Sequence, residues 1–238
     1  MCFLGYGRWD MTASLEPAAR PPLPPPGLYP PTEEMISCAA RAVRDGALVI
    51  LPTETVYGLA ARADSPDAMK RLYAAKERPP EKPIARMVAT IEQLRGAVGA
   101  LPPAAEALAA RFWPGPLTLV LRANAAHPDA EWVGYRAPAH PVALAWLKAL
   151  GAVVPAVTSA NRSGEPAARE ASEAWAAVGS HTALGLDGGP AREGRGSTVV
   201  KVDGAILTVL REGPVSWKAM AAVLASEIPG CTLNGVCV

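Results

Sequence analysis

The chain has 238 residues, half of them apolar, and its 23 basic and 22 acidic side chains leave a net charge of +1. That suits one compact domain with extensions and a sizeable core, and it excludes bulk charge as a means of attracting nucleic acid or membrane, so any basic site must be local. No apolar run nears the ~20 residues of a membrane span, and the mixed start, Met1 to Asp10, has no apolar signal core, so a cytoplasmic protein is expected. Cys2, Cys38, Cys231 and Cys237 fit no common zinc spacing and read as unligated thiols.

Residues 1–31 hold eight of the 25 prolines and read as a disordered arm in extended conformations. Thr32 caps a helix over 33–44, which Asp45-Gly46 stops. The apolar run 47–51 is a buried strand. Ser65-Pro66 opens a helix to about Lys76. Residues 84–89 are strand-like, and Thr90 to Gln93 is a capping box opening the third helix. A fourth helix begins near Pro103 and ends before Pro114. Strands follow at 117–122 and 132–136, then a helix at 141–150, a strand at 153–157 and a helix near 171–178. A hairpin over 198–202 and 206–210 turns at Asp203-Gly204, and Ser216 starts the last helix. Alternating strands and helices with a late hairpin imply an α/β fold, a mixed sheet with helices packed on it.

Four polar segments border apolar strands, where ligands gather in such sheets. Thr53, Glu54, Thr55 and Tyr57 follow the first strand. Their hydroxyls can donate and accept, and Gly58 lets the backbone come close to a ligand, although an ordinary turn with a capping threonine has the same letters. Lys76, Arg78 and Lys82 place three cations within seven residues stiffened by Pro79, Pro80 and Pro83. That composition binds phosphate, or forms a solvated face paired with Glu77 and Glu81. Ser159, Asn161 and Ser163 offer small polar groups to a base, ribose or phosphate, without the lysine of a P-loop. Arg136 and Arg211 stand at strand ends, grouped with Gly196-Ser197-Thr198. His140, before Pro141, reads as a capping residue. No Ser–His–Asp or Cys–His set, metal cluster or GxGxxG is visible. The inventory suits a site that positions anions.

Six ordered segments carry a resemblance: Pro52 to Leu59, Lys76-Glu77-Arg78, Phe112 to Thr118, Arg136 to Pro141, Ser159 to Gly164 and Ser197 to Val200. Together, over residues 32–214, they resemble the YrdC-like family of threonylcarbamoyl-AMP synthases. The resemblance implies a twisted mixed sheet with packed helices around a deep basic cavity. It also implies a nucleotidyltransferase that joins L-threonine, bicarbonate and ATP into threonylcarbamoyl-AMP and pyrophosphate, for the t6A37 modification of tRNA. By position it implies threonine contacts at Thr55, Arg136 and Ser197, and ATP contacts at Arg78, Lys82, Ser159, Asn161 and Arg211. Lys76 and Arg78 take the catalytic places, with Lys76 facing the phosphates or bicarbonate. Mg2+ is expected to travel with ATP, with no protein-bound metal or organic cofactor. A tRNA threonylcarbamoyltransferase is the implied recipient of the product, and weak RNA contact is a further implied interaction. A non-catalytic RNA-binding or ribosome-associated module is the main rival reading, and the near-neutral charge stands against it; a relative that transfers carbamoyl groups using the same fold is the second. Met87 and Lys82 depart from relatives that carry histidine and asparagine there. The expected division is a proline-rich arm (1–31), a catalytic domain (32–214) and a short C-terminal helix and tail (215–238).

Overall fold

A computed structural model describes residues 21–122 and 131–235. In chain order its elements are β1 (Leu28–Tyr29), α1 (Glu33–Arg44), β2 (Val49–Leu51), β3 (Gly58–Arg62), α2 (Pro66–Ala75), β4 (Arg86–Met87), α3 (Ile91–Val98), α4 (Pro103–Phe112) and β5 (Leu117–Arg122). There follow β6 (Trp132–Arg136), α5 (Pro141–Leu150), β7 (Pro155–Ser159), α6 (Ala171–Val178), β8 (Leu184–Leu186), β9 (Thr198–Asp203), β10 (Ile206–Arg211), α7 (Trp217–Glu227) and β11 (Thr232–Asn234). The strands form one mixed sheet in the order β1-β8-β2-β3-β7-β4-β6-β5-β9-β10-β11.

The helix starts follow their capping chemistry. Thr32, Ser65, Thr90 and Ser216 each accept the backbone N–H three residues on, which satisfies donors that the first turn leaves orphaned. Gln93 departs from the capping-box pattern: its side chain accepts from Ala89 N, one residue before the cap.

Helices cover both faces of the β8-β2-β3-β7 half. α1 and α5 pack through Ala39, Val43, Trp146 and Leu150 against Val49, Leu51 and Leu184. α2 and α6 pack through Leu72, Ala75, Ala174 and Val178 against Ile50, Leu59 and Ala156. On the other half, α4 and α7 bury Leu117, Leu119, Leu121, Val133, Tyr135, Val200 and Val202 on one face. Strand alternation sends the intervening residues Thr118, Val120, Trp132, Gly134, Arg136, Val199 and Lys201 to the opposite face. There they line a cavity instead of a core.

Several expectations need correction. The sequence 58–62, which contains Gly58, Ala60 and Ala61, is a strand antiparallel to β2, and β8 is a further strand at Leu-Gly-Leu. Small residues have low strand propensity and hid both. The strand at 84–89 contracts to Arg86–Met87, and that at 153–157 sits two residues later. The arm does not extend as far as residue 31. Its first twenty residues lie outside the described ones, but Leu28 and Tyr29 pair with β8 and Leu23 packs on the α1–α5 core. The tail is likewise tied in, since Thr232 to Asn234 pair parallel with β10. Among the described residues no helix is long and apolar enough to cross a membrane.

Candidate active site

The cavity occupies ≈ 580 Å³ between the exposed face of the β6-β5-β9 strands and the turns that leave β2 and β7. Among the described residues no Asp or Glu lines it, while Arg78, Arg86, Arg136, Lys201 and Arg211 do. A larger cavity of ≈ 730 Å³ lies between α3, α4 and the end of α7. Its walls are mostly apolar, and of its charged residues Arg95, Glu106 and Glu227 the first two already pair with each other at 2.9 Å. Convergent cations in a lining that lacks an acid among the described residues, not size, mark the smaller cavity as the site.

Arg136 ends β6 and is held at all three nitrogens. Nε donates to Gly115 O at 3.2 Å, Nη1 donates to Thr55 Oγ1 at 2.9 Å, and Nη2 lies 2.7 Å from Glu54 Oε1. The last contact is a charge pair off the hydrogen-bonding direction, so neither atom has a properly directed hydrogen bond there. Gly115 is required: a Cβ on it would stand 2.2 Å from Phe112 O, and its N–H bonds Ala137 O. Thr53 knots the loop before Thr55. Its hydroxyl donates to Val56 O at 2.6 Å and accepts from the N–H groups of Thr55 and Val56. Tyr57 anchors the same loop by donating to Gly189 O at 2.8 Å, and burial pushes its phenol up to about 12.

Arg211, at the end of β10, donates from Nε and Nη2 to Ser197 O at 3.0 and 2.8 Å. Burial, and then the charge of Arg136, lower its pKa, so two guanidiniums face one space, and the one acid beside them, Glu54, is paired with Arg136 outside the cavity lining. An anion placed between them would relieve both. Ser197 shares a 2.7 Å hydrogen bond with Thr118.

Arg78 folds its guanidinium over the proline loop, donating to Lys82 O at 3.0 Å and Pro83 O at 2.9 Å, and borders the cavity. Ser159 borders it at the end of β7. Thr55, Arg78, Arg136, Ser159, Ser197 and Arg211 therefore meet in one space.

Three expected residues are placed differently. Lys76 was expected to face the phosphates. It is 1% exposed, and its ammonium donates to Ser159 O, Asn161 O and Asn161 Oδ1, which uses its three protons on the turn after β7. Burial, then the charge of Arg78, push its pKa down to about 8. Asn161 is buried beside it, and its Nδ2 donates to Arg162 O and Glu165 O, both at 2.8 Å. The Lys82 side chain is exposed and outside the cavity lining. Met87 and Arg86 both line the cavity, although Met87 is paired in register with Arg136 and Arg86 with Tyr135, whose side chain is on the core face.

Sequence reasoning missed Lys201, Trp132 and Thr118 as lining residues. Lys201 Nζ lies 3.8 Å from the centroid of the Trp132 ring. The signal in the sequence was no more than Thr118 and Lys201 set among leucine and valine in 117–121 and 198–202. Reading it needs to know which face lacks a helix.

Comparison with known proteins places this geometry in context. The Sua5/YciO/YrdC family model, described as telomere recombination, matches residues 41–213. A protein of Mycobacterium tuberculosis is 39% identical over 197 residues, 79% of this chain and 88% of its own. The threonylcarbamoyl-AMP synthase of Bacillus subtilis is 38% identical over 201 residues, 81% of this chain and 57% of its own. The crystal structure of P. abyssi Sua5 complexed with L-threonine matches with a TM-score of 0.78 at 36% identity, covering 85% of this chain and 60% of that one. The chain thus spans most of the mycobacterial protein and less than two thirds of the other two.

Proposed function

Because the chain belongs to the Sua5/YciO/YrdC family, we propose that it is a threonylcarbamoyl-AMP synthase, a nucleotidyltransferase that forms threonylcarbamoyl-AMP and pyrophosphate from L-threonine, bicarbonate and ATP. The observation that carries the reading is the convergence of Arg136–Thr55, Ser197–Arg211 and Arg78–Ser159 on one cavity without an acidic lining residue among those described. An amino-acid carboxylate, bicarbonate and a triphosphate must share that space.

In this account Arg136 pairs with the threonine carboxylate, and Thr55 and Ser197 supply hydroxyls beside it. Arg78 and Arg211 grip ATP phosphates, with Ser159 on the same wall. Lys76 and Asn161 act one step back, by holding the turn that presents Ser159. The neutral threonine amine attacks the carbon of CO2 with loss of a proton, or that of bicarbonate with loss of water, and gives a carbamate. A carbamate oxygen then attacks the α-phosphorus, the bond to the β-phosphate oxygen breaks, and pyrophosphate leaves with its electron pair. Catalysis comes from orientation and from cations placed where negative charge gathers. Mg2+ enters as part of the MgATP substrate, which suits a lining that offers no carboxylate ligand of its own. Lys82, on the exposed proline loop, would meet the outer phosphates.

The product serves t6A37 formation in tRNA, with a tRNA threonylcarbamoyltransferase as recipient. A near-neutral chain fits transient rather than tight RNA contact.

The test uses 13C-bicarbonate with ATP and threonine. Mass spectrometry is expected to find the label in a threonylcarbamoyl-adenylate. An unlabelled adenylate, or none, refutes the reading.

A further inference from the structure

We infer that Glu54 is a resident counter-ion that makes the amino-acid end of the cavity select zwitterions over plain carboxylates. The inference rests on the reading that Arg136 holds the substrate carboxylate. The two side chains are each 8% exposed and 2.7 Å apart. Arg136 is fixed independently by Gly115 O and Thr55 Oγ1. Removing the Glu54 charge therefore leaves the guanidinium oriented and changes mainly the field around it.

Ordering of the loop does not account for the carboxylate. Thr53 already knots residues 53–56, and Glu193 N bonds the backbone carbonyl of Glu54, not its side chain. Glu54 Oε2 is buried without a hydrogen-bond partner among the described residues, an arrangement that costs stability and calls for a reason. The carboxylate is also absent from the cavity lining, so it does not bind substrate by contact. What it supplies is a negative charge directly behind Arg136.

With Glu54 in place, the Arg136 end of the cavity is close to neutral. A monocarboxylate gains little there, because the attraction of Arg136 is opposed by Glu54. An amino acid brings its own ammonium, which the Glu54 field attracts. In a partly desolvated site one unit charge at this range changes affinity by about tenfold or more.

The experiment measures threonine-dependent pyrophosphate release by the full chain at saturating MgATP and bicarbonate. The inhibitor is 3-hydroxybutyrate, which is threonine without its amine. In the wild type its Ki is expected to exceed the threonine KM by about 100-fold or more. Glu54→Gln is expected to lower that ratio at least tenfold, with the KM for ATP within twofold. A merely structural Glu54 would move both constants together and leave the ratio alone, and an unchanged ratio overturns the inference. Glu54→Asp keeps the charge and is expected to keep most of the discrimination; a ratio as low as that of Glu54→Gln also overturns it. Should Glu54→Gln not fold, the wild-type ratio still decides, because comparable constants for the two ligands contradict the idea. A wild type indifferent to threonine overturns the functional reading and this inference together. An active wild type with an unchanged variant ratio overturns the inference alone.

Discussion

Lys76→Met isolates what the protein gains and loses by burying one ammonium. The side chains are similar in volume, so packing changes little. The variant leaves Ser159 O and Asn161 O without their donor, and unsatisfied buried acceptors cost about 1–3 kcal/mol each. Against this, the variant no longer desolvates a charge. The drop in pKa from 10.5 to about 8 corresponds to roughly 3 kcal/mol. The two effects oppose each other, and stability at pH 7 is expected to change by no more than about 3 kcal/mol. The pH dependence separates them. The folded amine releases its proton near 8, whereas the unfolded one keeps it to 10.5. Between these values the unfolded chain binds more protons, so wild-type stability rises with pH relative to the variant. By pH 9.5 the gain is about 2 kcal/mol. Both proteins keep Tyr57 and Tyr135, whose alkaline titration cancels in the difference. Urea unfolding of both at pH 7.5, 8.5 and 9.5 measures it. Parallel stability curves would mean that the three oxygens fully support the ammonium and that the reasoning is wrong.

Three further outcomes are expected. Arg78→Ala should cut pyrophosphate formation by about 100-fold or more through loss of a charge on the phosphates, with little change in Tm because its bonds are exposed; full activity would contradict the role. Gly115→Ala should cost about 1–3 kcal/mol in chemical denaturation, because the new Cβ meets the backbone oxygen of Phe112, and it should raise the threonine KM as Arg136 loses its anchor; wild-type values for both would remove Gly115 O from the account. His140 has its pKa lowered by burial, so the unfolded chain binds more protons just below pH 6.5 and stability falls as pH drops through that region. His140→Gln should flatten that acid limb, which pH-dependent thermal unfolding would show; an unchanged limb places the titration elsewhere.

Much of the fold could be read from local chemistry, because helix caps act over three residues. Thr32, Ser65, Thr90 and Ser216 mark starts that the structure keeps, and the hairpin around Asp203-Gly204 forms in antiparallel register. What escaped were strands whose reason to exist is non-local. Gly58 to Arg62 holds its place by pairing with both β2 and β7, and position 58 takes glycine because a Cβ there would press on Val157 at 2.9 Å. Within the site, residue types pointed to anion binding, but not to where each side chain aims. Lys76 and Arg78 look equivalent in sequence, yet Lys76 caps α2 and Glu77 turns the chain at a φ of +49°, and the two side chains end under the turn after β7 and over the proline loop. The importance of Glu54 was hidden for a similar reason, since its partner Arg136 lies far along the chain.

The central claim is tested most directly by pyrophosphate release from purified protein with MgATP, measured with threonine and bicarbonate together and with each left out. The account predicts release that collapses when either is omitted. Equal release without threonine would contradict it.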